Sequence, residues 1–379
     1  MPADRPPVIA NVARLHAAMD RERLAAVVVR SGQNFTYLSG VSIPGTYGRY
    51  LDLTDSPRGL FLIWPRHGDA IMVRSRFNEG TERMIAAESW VPRTEAYEAF
   101  AEEPLARLCD VIAHAGLAGE RIGFETSYLS AAACRDIRER LPKIEMVDGT
   151  ALLDHVRFVK TPPEIERLRT AAHLLDDVYR EVFSSLRPGD TERETHRRMV
   201  SACLRRGVDS VHGAWTYGVI NTAAGGEPRA FQAGDVLRTD YIAYLRNYPG
   251  HQSRNAIFGP PPAAVRDEYR AYRDIYLAAL DRCRPGVRAS DIFDFIVAAF
   301  ERQGWRYTQV LVGHSVGAWW HQQEPILARG RDTLLEDGAV IAVEPITERW
   351  YLQDMIVVRG NGAELLSDTF PTDEMFVID

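Results

Sequence analysis

The sequence predicts a mixed α/β (α+β) protein of two domains: a small α/β domain over residues 1–152 and a larger one over residues 153–379 built from two related halves. Three observations predict it. Up to about residue 150, apolar runs of strand type alternate with stretches of helical spacing. The texture then changes at Thr161-Pro162-Pro163-Glu164, a helix-start signal. Beyond it, Arg187-Pro188-Gly189 precedes a helical stretch ending at Gly207, and Arg284-Pro285-Gly286 precedes another ending at Gly304. The spacing from glycine to glycine is the same in both copies, which marks an internal repeat. Two such halves packed face to face leave a cleft between their sheets, a usual place for a ligand.

Each element has its own signal. Residues 9–22 have helical spacing, and residues 24–29 (LAAVVV) read as a buried strand. Residues 60–64 and 69–73 form a strand pair across Pro65-Arg66-His67-Gly68. Residues 104–116 read as a helix, 122–125 as a strand and 128–141 as a helix. A long amphipathic helix runs from Pro162 to about residue 186. Strand-like segments follow each repeat: 213–220 and 235–245 after the first, then 309–312, 339–343 and 352–358.

At 379 residues the chain exceeds what a single core comfortably holds. It is 46% hydrophobic and 26% charged, with a formal net charge of -7. Its basic residues are almost all Arg, interspersed with Asp and Glu, so nucleic acid is not the expected partner. Cys109, Cys134, Cys203 and Cys283 are far apart and read as buried free thiols. The Met1 end lacks a signal-like apolar core, and no run is long enough to span a bilayer; a cytoplasmic protein is the expectation.

Polar residues gather on the strand-like segments. His314 sits in Gly313-His314-Ser315-Val316-Gly317, His321 follows, and Glu344-Pro345 closes an apolar run. Asp240 ends another such run, with His251 beyond it. Imidazoles and carboxylates held on separate rigid elements are the raw material of a catalytic centre.

These motifs resemble the creatinase/prolidase/aminopeptidase P superfamily, whose members have the pita-bread fold. Asn34-Phe35-Thr36-Tyr37-Leu38-Ser39-Gly40 resembles the family's N-domain strand and turn, and residues 157–169 (RFVKTPPEIERLR) resemble the entry to its catalytic domain. Gly234-Asp235-Val236-Leu237-Arg238-Thr239-Asp240, the Gly313 to Gly317 motif and Val343-Glu344-Pro345 resemble its active-site strands. The resemblance implies five metal ligands in the order Asp, Asp, His, Glu, Glu. They fall here on Asp240, His251, His314, Glu344 and Gln353. The two altered positions are those whose carboxylates bridge a metal pair. An imidazole binds one metal through one nitrogen, and a carboxamide is neutral. A dinuclear centre and ordinary Xaa-Pro peptidase chemistry are therefore not expected. One divalent ion (Fe, Mn or Zn) suits the remaining set. The alternative is a metal-free site in which His251 only hydrogen-bonds.

Creatinase is the metal-free relative, and its acid/base histidine precedes the Gly-Asp strand. Residues 220–228 contain no histidine, and the carboxylate that helps bind creatine falls on Ser253, so creatine is not the expected substrate. The resemblance makes His321 a proton donor or hydrogen-bond donor to substrate, against a structural role. His314 and Glu344 complete the catalytic set. Trp319 and Trp320 wall a pocket or simply pack, and Trp215 and Tyr217 line the same pocket. Glu324 is a loop carboxylate or a substrate clamp. Creatinase-like homodimers send a Phe-Gly-Arg loop into the neighbouring site; Tyr47-Gly48-Arg49 is the counterpart, with Arg58 competing. Arg254 reads as a brace.

The expected function is hydrolysis of a C–N bond in a small polar molecule by a homodimer. Two alternatives stand beside it: oxidative or lyase chemistry on mononuclear non-haem Fe(II), and a metal-free creatinase-like hydrolase or non-catalytic binding protein.

Overall fold

The computed structural model of the chain describes residues 5–41, 59–217, 229–319 and 324–379, with the backbone alone for residues 212–217. The chain divides into two compact units, Met1–Arg157 and Phe158–Asp379. The first contains α1 (Val12–Glu22), β1 (Ala26–Arg30), α2 (Gln33–Ser39), β2 (Phe61–Pro65), β3 (Ile71–Ser75) and α3 (Glu79–Glu88). It continues with β4 (Arg93–Tyr97), α4 (Pro104–His114), β5 (Arg121–Phe124), α5 (Ala131–Arg140), β6 (Glu145–Asp148) and α6 (Thr150–Phe158). The sequence reading placed the divide at 152/153, inside α6. That helix stays with the first unit, where Arg14 Nε donates to the His155 carbonyl at 2.8 Å.

The six strands are ordered β4-β3-β2-β1-β5-β6. The apolar run of β1 is explained by its central place: Ala26, Val27, Val28 and Val29 are all buried, between antiparallel β2 and parallel β5. The expected strand pair is antiparallel β2 and β3, with Phe61 opposite Val73. One expectation fails. Asn34 to Gly40 is not a strand and turn but helix α2, closed by Gly40 at φ 81°. Phe35, Tyr37 and Leu38 are all buried there.

The second unit begins with α7 (Pro162–Ser185), α8 (Glu192–Arg205), β7 (Ser210–Tyr217), β8 (Val236–Leu245), β9 (Tyr248–Gln252), β10 (Asn255–Phe258) and α9 (Ala263–Leu280). It ends with α10 (Ala289–Arg302), β11 (Leu311–Ser315), β12 (Ile326–Ala328), β13 (Val340–Val343), β14 (Asp354–Arg359), β15 (Gly362–Leu365) and β16 (Phe376–Ile378). Thr161 and Glu164 form the capping box that starts α7, with Pro162 in its first turn. The internal repeat is visible as two helix pairs on two sheets. Helices α7 and α8 pack Leu175, Val178 and Met199 on the sheet β16-β10-β8-β7, to which β9 adds beside β8. Helices α9 and α10 pack Tyr272, Ile292 and Ile296 on the sheet β12-β11-β13-β14-β15. The sheets meet where Ser253 bridges Gln353.

Cys109, Cys203 and Cys283 are buried and Cys134 is half-buried; all four are free thiols. Among the described residues no helix is long and apolar enough to cross a membrane.

Candidate metal centre

Two glycines set the histidines in place. Gly250 precedes His251 on β9, and a Cβ there would lie 2.3 Å from the Ala171 carbonyl oxygen of α7. Gly313 precedes His314 on β11, and a Cβ there would lie 2.4 Å from the Ala342 oxygen of β13. Close backbone approach at both points requires glycine. Both histidines are buried. The strand β11 runs to Ser315, so His314 lies within the strand rather than after it, paired with Ala342. Glu344 follows β13 directly, its backbone N–H donating to the Val312 carbonyl at 2.7 Å. Asp240 comes from β8, where Ile242 pairs with His251.

These elements bring one ligand atom each from His251, His314 and Glu344 within 4.8 Å of one another. The two imidazole centroids are 5.3 Å apart, tilted by 32°. His251 Nε2 lies 3.2 Å from Asp240 Oδ1. His314 Nδ1 donates to the Ser315 carbonyl at 3.1 Å, since a carbonyl only accepts. In the neutral ring Nε2 therefore presents its lone pair, and it faces Glu344 Oε1 at 3.6 Å. Two electron-rich atoms at that distance call for a proton or a cation between them. Burial, with Asp240 nearby, pushes the Glu344 carboxyl up to about 8, and the Tyr351 hydrogen bond opposes this.

The donor set fits one divalent cation. Ligand atoms bound at ~2.1 Å stand about 3–4 Å apart, so little movement would close the trio on an ion. The Gln353 carboxamide oxygen accepts from Ser253 Oγ at 3.0 Å and lies 3.2 Å from the Tyr351 hydroxyl. Its Nε2 points to the His251 carbonyl at 3.5 Å.

Two buried cations brace the strands. Arg254 Nη1 donates to the carbonyls of Ser253 at 3.1 Å and Gln353 at 2.8 Å. The same guanidinium pairs with Asp176 at 2.8 Å and Asp354 at 2.9 Å. Lys160 Nζ donates to Ser315 Oγ at 3.0 Å, steadying the residue after His314.

Tyr351 is a site residue that sequence reasoning missed. Its hydroxyl lies 2.9 Å from Glu344 Oε2 and 3.3 Å from Asp240 Oδ2. The available signal was its position two residues before Gln353, the spacing that puts side chains on one face of an extended chain.

The other sequence candidates divide. Half-buried Trp319 lies against Tyr244 of β8, ring centroids 5.5 Å apart. Trp215 and Tyr217 lie on β7, whose register sets them opposite Asp240 and Arg238. Glu324 braces its own loop: its oxygens accept from Ile326 N, Thr333 Oγ1 and Arg331 Nη1 at 3.1, 3.1 and 3.2 Å. Trp320, His321, Tyr47, Arg49 and Arg58 lie outside the described residues.

With fold and site in place, comparison with known proteins gives the family. Residues 166–368 match the model of metallopeptidase family M24, and residues 11–159 match the creatinase/prolidase N-terminal domain. The chain belongs to metallopeptidase family M24, and so to a family of hydrolases, with the pita-bread fold in its second unit. It is 24% identical over 252 residues to an Xaa-Pro dipeptidase of Lactobacillus delbrueckii subsp. lactis, covering 64% of this chain and 68% of that protein. It is 24% identical over 289 residues to the ectoine hydrolase of Halomonas elongata, covering 70% of each. The solved structure of an Xaa-Pro dipeptidase from Bacillus anthracis superposes with a TM-score of 0.79 at 18% identity, over 97% of this chain and 99% of that one.

Proposed function

We propose that this M24 hydrolase cleaves a C–N bond of a small polar substrate with one divalent cation held by His251, His314 and Glu344. One observation carries the reading: the three ligand atoms converge within 4.8 Å, while the carboxamide oxygen of Gln353 is taken by Ser253. A bound cation would supply Lewis-acid polarisation of the scissile group and acidify a water. Glu344 would hold that cation through Oε1, with Oε2 kept by the Tyr351 hydroxyl at 2.9 Å. Asp240 would stand beside the same cation, its Oδ1 3.2 Å from His251 Nε2. Trp319 and Tyr244 form an aromatic wall for the substrate. His321 is the proton donor to the leaving nitrogen, and Arg49 is the carboxylate clamp delivered by a second copy of a cytoplasmic homodimer; Tyr47, Trp215, Tyr217 and Trp320 line the remainder.

The test is a screen of protein reconstituted singly with Mn²⁺, Zn²⁺ or Fe²⁺, against Xaa-Pro dipeptides, ectoine and related small amides and amidines. Hydrolysis that needs a cation and is lost in Glu344→Ala supports the proposal. Activity retained in Glu344→Ala defeats it. The donor types also suit non-haem Fe(II), two imidazoles and one carboxylate. Turnover that requires both Fe²⁺ and O₂ would select oxidative chemistry instead.

A further inference from the structure

We propose that Tyr351 is the positioning residue of this centre: its hydroxyl locks Glu344 in register for a single cation and fills the room a second would need. The inference rests on the one-cation reading and adds to it the residue that enforces it.

The backbone that carries the phenol is anchored at two successive N–H groups. The Tyr351 backbone N–H donates to Asn255 Oδ1 at 3.1 Å, and the next backbone N–H, from Leu352, reaches the Tyr272 hydroxyl at 2.8 Å. The Tyr351 side chain is buried. The scaffold thus anchors the backbone that carries the phenol, and the hydroxyl meets Asp240, Glu344 and Gln353.

That position divides the labour of Glu344. Oε1 faces His314 Nε2 at 3.6 Å, and Oε2 faces the Tyr351 hydroxyl at 2.9 Å. One oxygen is left to a cation, while the other is tied back, so the carboxylate is held as a one-oxygen ligand. Hydrogen-bonding partners of this kind fix ligand orientation and tune affinity.

The same hydroxyl stands where Asp240, Glu344 and Gln353 come together, 3.3, 2.9 and 3.2 Å from one oxygen of each. A cation shared by those oxygens would need them at ~2.0–2.2 Å, in space the phenol oxygen holds. A single O–H proton serves a cluster that otherwise calls for positive charge.

The test is a titration of metal-free protein with Co²⁺, followed by visible absorption. The wild-type chain is expected to bind one Co²⁺. Tyr351→Phe is expected to bind it about 10- to 100-fold more weakly, with altered ligand-field bands and a metal-free melting temperature near wild type. Unchanged affinity and unchanged bands in Tyr351→Phe overturn the proposal and leave the one-cation reading standing. A wild-type chain that takes up no Co²⁺ defeats that reading itself. Near-UV absorption reads the hydroxyl without any variant: saturating the wild-type chain with Zn²⁺ is expected to give a tyrosine difference band. Its absence also overturns the proposal.

Discussion

Ser253 and Gln353 join the two sheets of the second unit through reciprocal backbone hydrogen bonds of 3.2 Å. The Ser253 hydroxyl then reaches the Gln353 carboxamide oxygen at 3.0 Å. The seam between the sheets thus runs through Gln353, beside the candidate centre.

A carboxylate at position 353 should therefore strain the metal-free protein. Gln353→Glu sets a third carboxyl group beside Asp240 and Glu344, with the Ser253 and Tyr351 hydroxyls as its donors. We expect a loss of about 1–3 kcal/mol without metal, from like charges in a buried site. Mn²⁺ should recover more stability in the variant than in the wild type. Thermal melts with and without Mn²⁺ check this; equal Mn²⁺ effects in both proteins would count against it.

Arg254 is fully buried between Asp176 and Asp354. Arg254→Met leaves two buried carboxylates uncompensated, which should cost about 3–5 kcal/mol. Urea denaturation measures it. A loss below 1 kcal/mol would mean that the ion pairs contribute little to holding the seam.

The first unit carries a pH-sensitive group. Burial pushes the Glu125 carboxyl up to about 7, against the opposing hydrogen bond from Asn34 Nδ2 at 2.5 Å. The folded state therefore holds this proton more tightly than the unfolded chain. Its contribution to stability is full below the ordinary glutamate range and is lost as pH rises towards 7. Glu125→Gln should remove that slope and be the more stable protein at pH 8, by on the order of 3 kcal/mol or less. Denaturation midpoints from pH 4.5 to 8 for both proteins give the difference; parallel curves would contradict it.

Much of this was legible in the sequence, for physical reasons that can be named. The continuous apolar run of β1 announced a strand buried on both faces, and the twin Arg-Pro-Gly signals announced the two halves of the second unit. Glu344 stood out because a carboxylate in an apolar run is costly, His314 through its Gly-His-Ser-Val-Gly motif, and the ligand role of His251 through the resemblance. Other features were hidden. Helix α2 was expected as strand and turn from the family resemblance, although Gly40 marked a helix end. Strand β9 escaped notice because Pro249 argues against a strand. Tyr351, in a Trp-Tyr-Leu context, looks like packing; only the fold shows that its hydroxyl meets three oxygens.

The most direct measurement is a count of metal per chain, by elemental analysis of protein loaded with excess Mn²⁺ or Zn²⁺ and then desalted, for the wild type and for His251→Ala. A centre built on His251, His314 and Glu344 predicts one cation in the wild type and at least tenfold weaker retention in the variant. Two cations per wild-type chain, or one retained equally well without His251, would contradict it.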